Sequence, residues 1–158
     1  MELVLLAVGK LRPSYRAAAD DYLRRLGRHH KVREVEIREA SRAPTLVAQQ
    51  REEAERLRAR LPAGARLVTL AREGAGWSSE ELARRLQGWI REARPVAFAI
   101  GGSRGLDPTL LAAAADRWSL GPLTLPHELA RVVVVEQLYR ASTILRGEPY
   151  HKGAGARE

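Results

Sequence analysis

The sequence predicts an α/β fold built on a parallel sheet, and three observations predict it. Apolar runs at residues 1–8, 65–70 and 95–100 carry at most one charge each, as strands buried on both faces do. Stretches with apolar residues at helical spacing separate these runs. Strand-like and helix-like segments alternate along the chain, which is the pattern of a sheet covered on both faces with ligand sites beyond the strands' carboxyl ends. At 158 residues the chain is read as one domain spanning 1–158.

Taken in order, the strand at 1–8 is broken by Gly9-Lys10-Leu11-Arg12-Pro13. Ser14 is expected to cap a helix whose Tyr15, Ala18, Ala19, Tyr22, Leu23 and Leu26 share a face, with Gly27 ending it. His29 and His30, inside the basic run that follows, are expected to be solvated residues at that helix end, since adjacent histidines without a third ligand are poor zinc geometry. Val35-Glu36-Ile37 alternates within a strand at 32–39 that suits a sheet edge. From Thr45, a helix carries Leu46, Gln50, Ala54, Leu57 and Leu61 on one face, with Glu52, Glu53 and Glu55 among its wet residues.

The strand at 65–70 leads into 71–77, expected to be a glycine-rich loop able to cover a ligand. Ser78 and Glu81 have capping-box spacing before Leu82, Leu86, Trp89 and Ile90. Arg94-Pro95 opens the strand that ends at Ile100, Asp107-Pro108 starts a short helix, and 118–120 forms a brief fifth strand. From Pro126 to Leu145 a three-four apolar step outweighs the β-branched run Val132 to Val135, so a helix is expected, stopped by Gly147 and Pro149. That run asks for cover beyond one sheet face, such as a second subunit.

Hydrophobic residues at 45% and charged residues at 29% exclude wholesale disorder. With no cysteine, disulfides and thiolate chemistry are excluded, and no metal site is expected. No run of about 18 apolar residues exists, so a cytoplasmic protein without a membrane segment is expected. The net charge of +8 is carried by arginine, because only Lys10, Lys31 and Lys152 are lysines, and arginine forks suit the phosphates of nucleic acid.

The candidate site lies in residues 95–127. A buried strand ends in Gly101-Gly102-Ser103-Arg104-Gly105, and a second backbone-rich turn follows at Gly121-Pro122 inside an unusually apolar stretch, so the two loops suggest one small-molecule site. The first loop lacks the Gly-Lys-Ser/Thr ending of a nucleotide phosphate loop and the spacing of a dinucleotide fingerprint. Ser103 is not in a Gly-x-Ser-x-Gly elbow. By itself a glycine turn after a strand more commonly serves as a tight connection.

Ile100-Gly101-Gly102-Ser103-x-Gly105, then Trp118-Ser119-Leu120 through Thr124-Leu125-Pro126-His127, then Arg131 to Ala141, and Pro149-Tyr150-His151-Lys152 stand in order along the chain. On these motifs, with Leu5 to Lys10 and Tyr22 to Arg25, the chain resembles the bacterial ribosomal RNA large-subunit methyltransferase H family of the SPOUT class. The resemblance implies a parallel-sheet SPOUT fold with a C-terminal trefoil knot, and a homodimer. It also implies S-adenosyl-L-methionine as methyl donor and N3 of a pseudouridine in 23S ribosomal RNA as acceptor, within assembled ribosomes.

By the same resemblance, Leu70, Gly101, Leu120, Gly121, Pro122, Leu123, Thr124 and Leu125 are the expected cofactor positions. Tyr150 and His151 are candidates for base contact or proton transfer, or they simply pack the terminus. Arg140 is a candidate for steadying an anionic oxygen or a phosphate. His127 is a candidate near the site or a cap for the last helix, and Glu136 a partner for an arginine across the dimer. Arg104 stands where some relatives have an acidic residue, and 153–158 extend past the usual end. Methylation of another RNA, or a non-catalytic ribosome-binding module, are the alternative readings.

Overall fold

The computed structural model describes residues 1–151, so Lys152 and the extension at 153–158 lie outside it. Elements run β1 (Glu2–Val8), α1 (Pro13–Leu26), β2 (Lys31–Ile37), α2 (Leu46–Ala59), β3 (Arg66–Gly76), α3 (Ser79–Glu92), β4 (Val96–Ile100), α4 (Pro108–Ala113), β5 (Asp116–Ser119) and α5 (His127–Arg146). All strand pairs are parallel, in the order β2-β1-β4-β3-β5. The nearly charge-free strands β1 and β4 are therefore interior, and the alternating β2 takes an edge, where a half-wet strand fits.

Because side chains alternate across a strand, β1 feeds two cores. Leu3, Leu5 and Ala7 join Phe98 and Trp118 under Leu26 of α1, Leu86 of α3, and Val134 and Leu138 of α5. Val4, Leu6 and Val8 join Ala97 and Ala99 under Ala54 and Leu57 of α2 and Leu110 of α4. Flanked by α1 and α3, α5 buries Val134 and Val135 within the chain, whereas Val132 and Val133 stay partly exposed.

Several local expectations are corrected. Arg12 rather than Ser14 occupies the start of α1, with no side-chain cap, because Pro13 already fixes the first helical position. The expected loop at 71–77 is mostly strand: β3 continues to Gly76 by shifting register against β5 between Leu70 and Ala75. β5 itself begins at Asp116, two residues before the expected strand.

His29 and His30 are not solvated. His29 Nδ1 lies 2.7 Å and His30 Nε2 3.1 Å from the buried Ser142 Oγ, and His29 stacks on Tyr139. On α2, Glu53 belongs to the interior, 3% exposed, while Leu46, expected on the apolar face, is 51% exposed. The reason for the first is a backbone need: Glu53 Oε2 accepts the Ala40 N–H at 2.9 Å and a Gln49 side-chain N–H at 3.1 Å, fixing the loop after β2.

Glu34 and Glu36, two apart on β2, point to the same face. There they meet Arg16 of α1 and the buried Arg131 of α5. Burial works against the charge on Arg16, but its hydrogen bonds to Glu34 and Asp20 and the charges of Glu34 and Glu36 outweigh it and raise the guanidinium pKa.

Candidate functional site

A cleft of about 200 Å³ opens where the middle of β3 and the carboxyl end of β4 meet the segment after β5 and the first turn of α5. Its walls come from Leu70, Gly101, Leu120, Gly121, Leu123, Thr124 and Leu125, so seven of the eight expected cofactor positions share one surface. Pro122 is outside the lining and exposed. Residues outside the expected cofactor positions complete the cleft, among them Arg72, Gly102, Trp118 and Ala130. Arg72 belongs to the segment expected as a loop able to cover a ligand; it lines the cleft from within β3, just before the register shift.

Close approach requires Gly101 and leaves little room at Gly102. A Cβ on Gly101 would stand 2.9 Å from the carbonyl carbon of Gly105, and one on Gly102 would meet Val8 at 3.1 Å and Glu39 at 3.2 Å. The loop is pinned from outside by Gln50, whose Nε2 donates to the Arg104 carbonyl at 2.7 Å, and Asp107 closes it by accepting the Thr109 N–H at 2.7 Å. Hydrogen bonding from the Thr109 hydroxyl, joined by backbone N–H groups, holds the Asp107 carboxyl below its ordinary pKa. After β5, Ser119 Oγ accepts the Gly121 N–H at 3.1 Å, and Gly121 has a φ of +112° that side chains resist. The chain thus turns outward and leaves Leu123 76% exposed at the mouth.

His127 is the first residue of α5 and provides no side-chain cap, since the position before the helix is Pro126. It lines this cleft and also a second, wider one of about 940 Å³. The wider cleft lies between the end of β1, the loop after β2 and α2, with Lys10, Glu36, Arg38, Glu39, Arg42 and Arg56 on its walls.

The other expected catalytic residues are elsewhere. Arg140 stands 13 positions after His127 on one helix, about 20 Å at 1.5 Å per residue. Neither Arg140, Tyr150 nor His151 lines the 200 Å³ cleft. Arg140 and Tyr150 gather instead near Tyr22: Tyr150 Oη donates to Glu136 Oε2 at 2.7 Å, its ring packs on Tyr139 at 4.8 Å, and Arg140 lies over it at 4.9 Å. Glu136 takes Arg140 of its own chain at 2.8 Å. Burial, with hydrogen bonds to Tyr22 and Glu136, pushes the Tyr150 phenol well above its ordinary pKa, so it is a donor and not a base at neutral pH. His151 Nδ1 is buried and has no hydrogen-bond partner among the described residues.

Among the described residues, no helix is long and apolar enough to cross a membrane, and no three potential metal ligands are grouped. A family model described as "Predicted SPOUT methyltransferase" matches residues 1–151. A protein of Rubrobacter xylanophilus named ribosomal RNA large subunit methyltransferase H is 51% identical, covering 93% of this chain and 96% of its own. One of the same name from an Anaeromyxobacter species is 46% identical, covering 96% and 100%. Two solved structures share the fold. A probable methyltransferase from Bordetella pertussis Tohama I has a TM-score of 0.54 at 16% identity, covering 89% of this chain and 93% of its own. A probable methylase family protein from Haemophilus influenzae has a TM-score of 0.51 at 13% identity, covering 94% and 69%.

Proposed function

The chain belongs to the SPOUT methyltransferase family, and on that premise we propose that it methylates N3 of a pseudouridine in 23S ribosomal RNA. On this reading it uses S-adenosyl-L-methionine, acts on assembled ribosomes in the cytoplasm, and works as a homodimer with a C-terminal trefoil knot. The observation that carries the reading is the 46% and 51% identity, over more than nine-tenths of both chains, to proteins named ribosomal RNA large subunit methyltransferase H.

The cleft fits such a donor. Leu70, Trp118, Leu120 and Leu125 offer apolar walls, while the main chain at Gly101 and Gly121 offers donors and acceptors without added charge. When bound, S-adenosyl-L-methionine supplies a methyl group on a positively charged sulfur, which an electron-rich nitrogen can take. At about 200 Å³ the cleft is smaller than the roughly 300–1,000 Å³ of pockets that bury a whole small molecule, so another surface must close over the ligand. A second copy of the chain would do this, and would also cover Leu123, Val132 and Val133.

The acceptor nitrogen carries a proton near neutral pH, so the site must remove it or stabilise the anion left behind. His127, between the two clefts, is placed to contact the base from the chain's own side. Tyr150 would donate its single phenolic proton to a uracil oxygen on releasing Glu136, which accepts that proton in the free chain, and Arg140 is suited to stabilise charge there. Since Arg140 lies about 20 Å along α5 from His127, and Tyr150 packs against it outside the cleft of their own chain, the homodimer reading has them serve the other copy's cleft.

Incubation with radiolabelled S-adenosyl-L-methionine and ribosomes lacking the modification should label 23S ribosomal RNA and leave bulk transfer RNA unlabelled. Label in transfer RNA alone would move the reading to another RNA. No cofactor binding by calorimetry, with the protein folded, would leave a non-catalytic ribosome-binding module.

A further inference from the structure

The wide cleft beside the glycine loop has a charge pattern that the methyl-donor site does not use. Lys10, Arg38 and Arg42 are exposed on its rim and form no ion pair among the described residues. Its carboxylates are mostly neutralised already: Glu36 by Arg16 and Arg131 behind it, and Glu52 by Arg56 at 3.6 Å. Glu39 is the exception. It has no hydrogen bond or ion pair among the described residues and lies at the inner end, its carboxylate 3.6 Å from the Cβ position of Gly9 and 3.2 Å from that of Gly102.

The rim is also fixed in place. Buried Glu53 holds the Ala40 N–H, and Arg56 Nη1 donates to the Arg38 carbonyl at 2.6 Å, so the loop carrying Arg38 and Arg42 is ordered before anything binds. His127 joins this cleft to the 200 Å³ one.

We infer that the 940 Å³ cleft grips the RNA strand next to the methylated base, with Lys10, Arg38 and Arg42 on its phosphates and Glu39 accepting hydrogen bonds from a base edge. Cations outside and a carboxylate inside match a nucleotide whose phosphate faces solvent and whose N–H groups point inward. A free anion would meet the carboxylate unfavourably, and an apolar ligand would leave all four charges unpaired. This inference rests on the RNA-methylation reading and gives it a docking face.

The test is binding of a fluorescein-labelled 20-nucleotide single-stranded RNA, and of ribosomes, to the full chain across a salt series. The triple variant Lys10→Ala, Arg38→Ala, Arg42→Ala should lose about tenfold in RNA affinity or more, and its salt slope should fall by about 2, near 0.7 per phosphate contact. Arg60→Ala, Arg84→Ala, Arg91→Ala removes the same charge from exposed positions outside the cleft and should stay within about threefold of the parent. The charge-preserving variant Lys10→Arg, Arg38→Lys, Arg42→Lys should do the same.

Unchanged affinity and slope in the alanine variant, or equal loss in the control, overturns the inference, as does absence of RNA binding by the parent. Loss on ribosomes alone, with RNA binding intact, assigns the cleft to a ribosomal protein instead. Calorimetry with S-adenosyl-L-methionine keeps the two readings apart: the cleft variants should bind it like the parent, and a parent that fails to bind it defeats the methyl-transfer reading whatever the RNA result.

Discussion

The guanidinium of Arg131, near the start of α5, donates to the carbonyl oxygen of Gly9, just past β1, over 2.9 Å. It reaches the Val8 carbonyl at 3.2 Å as well and turns its other side to Glu34 and Glu36, while being only 1% exposed itself. One side chain therefore ties the strand end, the edge strand and the helix that carries His127. Truncating it leaves two carboxylates with only Arg16 to share, and breaking a buried pair this way costs about 3–5 kcal/mol. Urea denaturation of Arg131→Ala should show a loss of that order, and Arg131→Lys should recover only part, since an ammonium cannot span both groups. A loss below about 1 kcal/mol would remove Arg131 from the framework described here.

Gly101 and Gly88 make an internal comparison. A methyl at Gly101 would collide with the Gly105 backbone at 2.9 Å, whereas one at Gly88, inside α3, meets nothing within 4 Å. Gly101→Ala should therefore displace the glycine loop and weaken S-adenosyl-L-methionine binding by at least about tenfold in calorimetry, a loss of roughly 1.4 kcal/mol. Gly88→Ala should bind normally and gain up to about 1 kcal/mol in unfolding free energy from helix propensity. Equal cofactor affinity in the two variants would mean that the loop does not touch the donor.

The parts of this fold that could be read in advance are those whose cause is local. β1 and β4 announce themselves by carrying a single charge between them, and α3 by the Ser78 hydroxyl that accepts the Glu81 N–H at 3.1 Å. What stayed hidden depends on partners far along the chain. His29 and His30 look like a wet helix end until Ser142, over 110 residues later, arrives between them. Glu53 has the same identity as its exposed neighbours, and only the unpaired Ala40 N–H makes it an interior residue. The second half of β3 exists because β5 pairs with it after a slip in register. In the site, the glycine loop was legible from its strand, but the grouping of Leu120 to Leu125 with Leu70 followed from family resemblance and not from periodicity. The distance between His127 and Arg140 follows from their spacing along α5, which the three-four pattern already contained.

His29 and His30 should make stability depend on pH below neutrality. Burial is the main cause lowering both pKa values, aided for His30 by its neighbour and by Arg146, while Glu148, 3.3 Å from His29 Nε2, works the other way. Ser142, Tyr139, Arg28 and the chain's amino terminus complete the surroundings. The folded state thus prefers the neutral rings, so the unfolded chain binds more protons. Stability is fully present above the unfolded pKa of about 6.5 and falls as pH drops below it. The urea midpoint of the parent should decline between pH 7.5 and 5.5 more steeply than that of His29→Gln, His30→Gln, and parallel slopes would mean that the rings are not buried neutral.

Tyr150 reports at the opposite end of the pH scale. Burial raises its phenol pKa first, and hydrogen bonds to Tyr22 and to Glu136, the latter at 2.7 Å, raise it further. Above the unfolded pKa of about 10 the unfolded chain gives up this proton while the folded chain keeps it, so the unfolded state binds fewer protons and stability falls as pH rises. Tyr150→Phe removes that linkage, and the difference in urea midpoint between parent and variant should shrink as pH goes from 9 to 11. Near neutral pH the variant should lose only about 1 kcal/mol, because Arg140 still satisfies Glu136 at 2.8 Å. If Tyr150 donates to the methylated base, kcat of the variant should fall while the pH profile of methyl transfer keeps its shape, since a group that stays protonated contributes no titration between pH 6 and 9. A limb of that profile that vanishes in Tyr150→Phe would show the phenol ionising during turnover, against the donor role assigned to it.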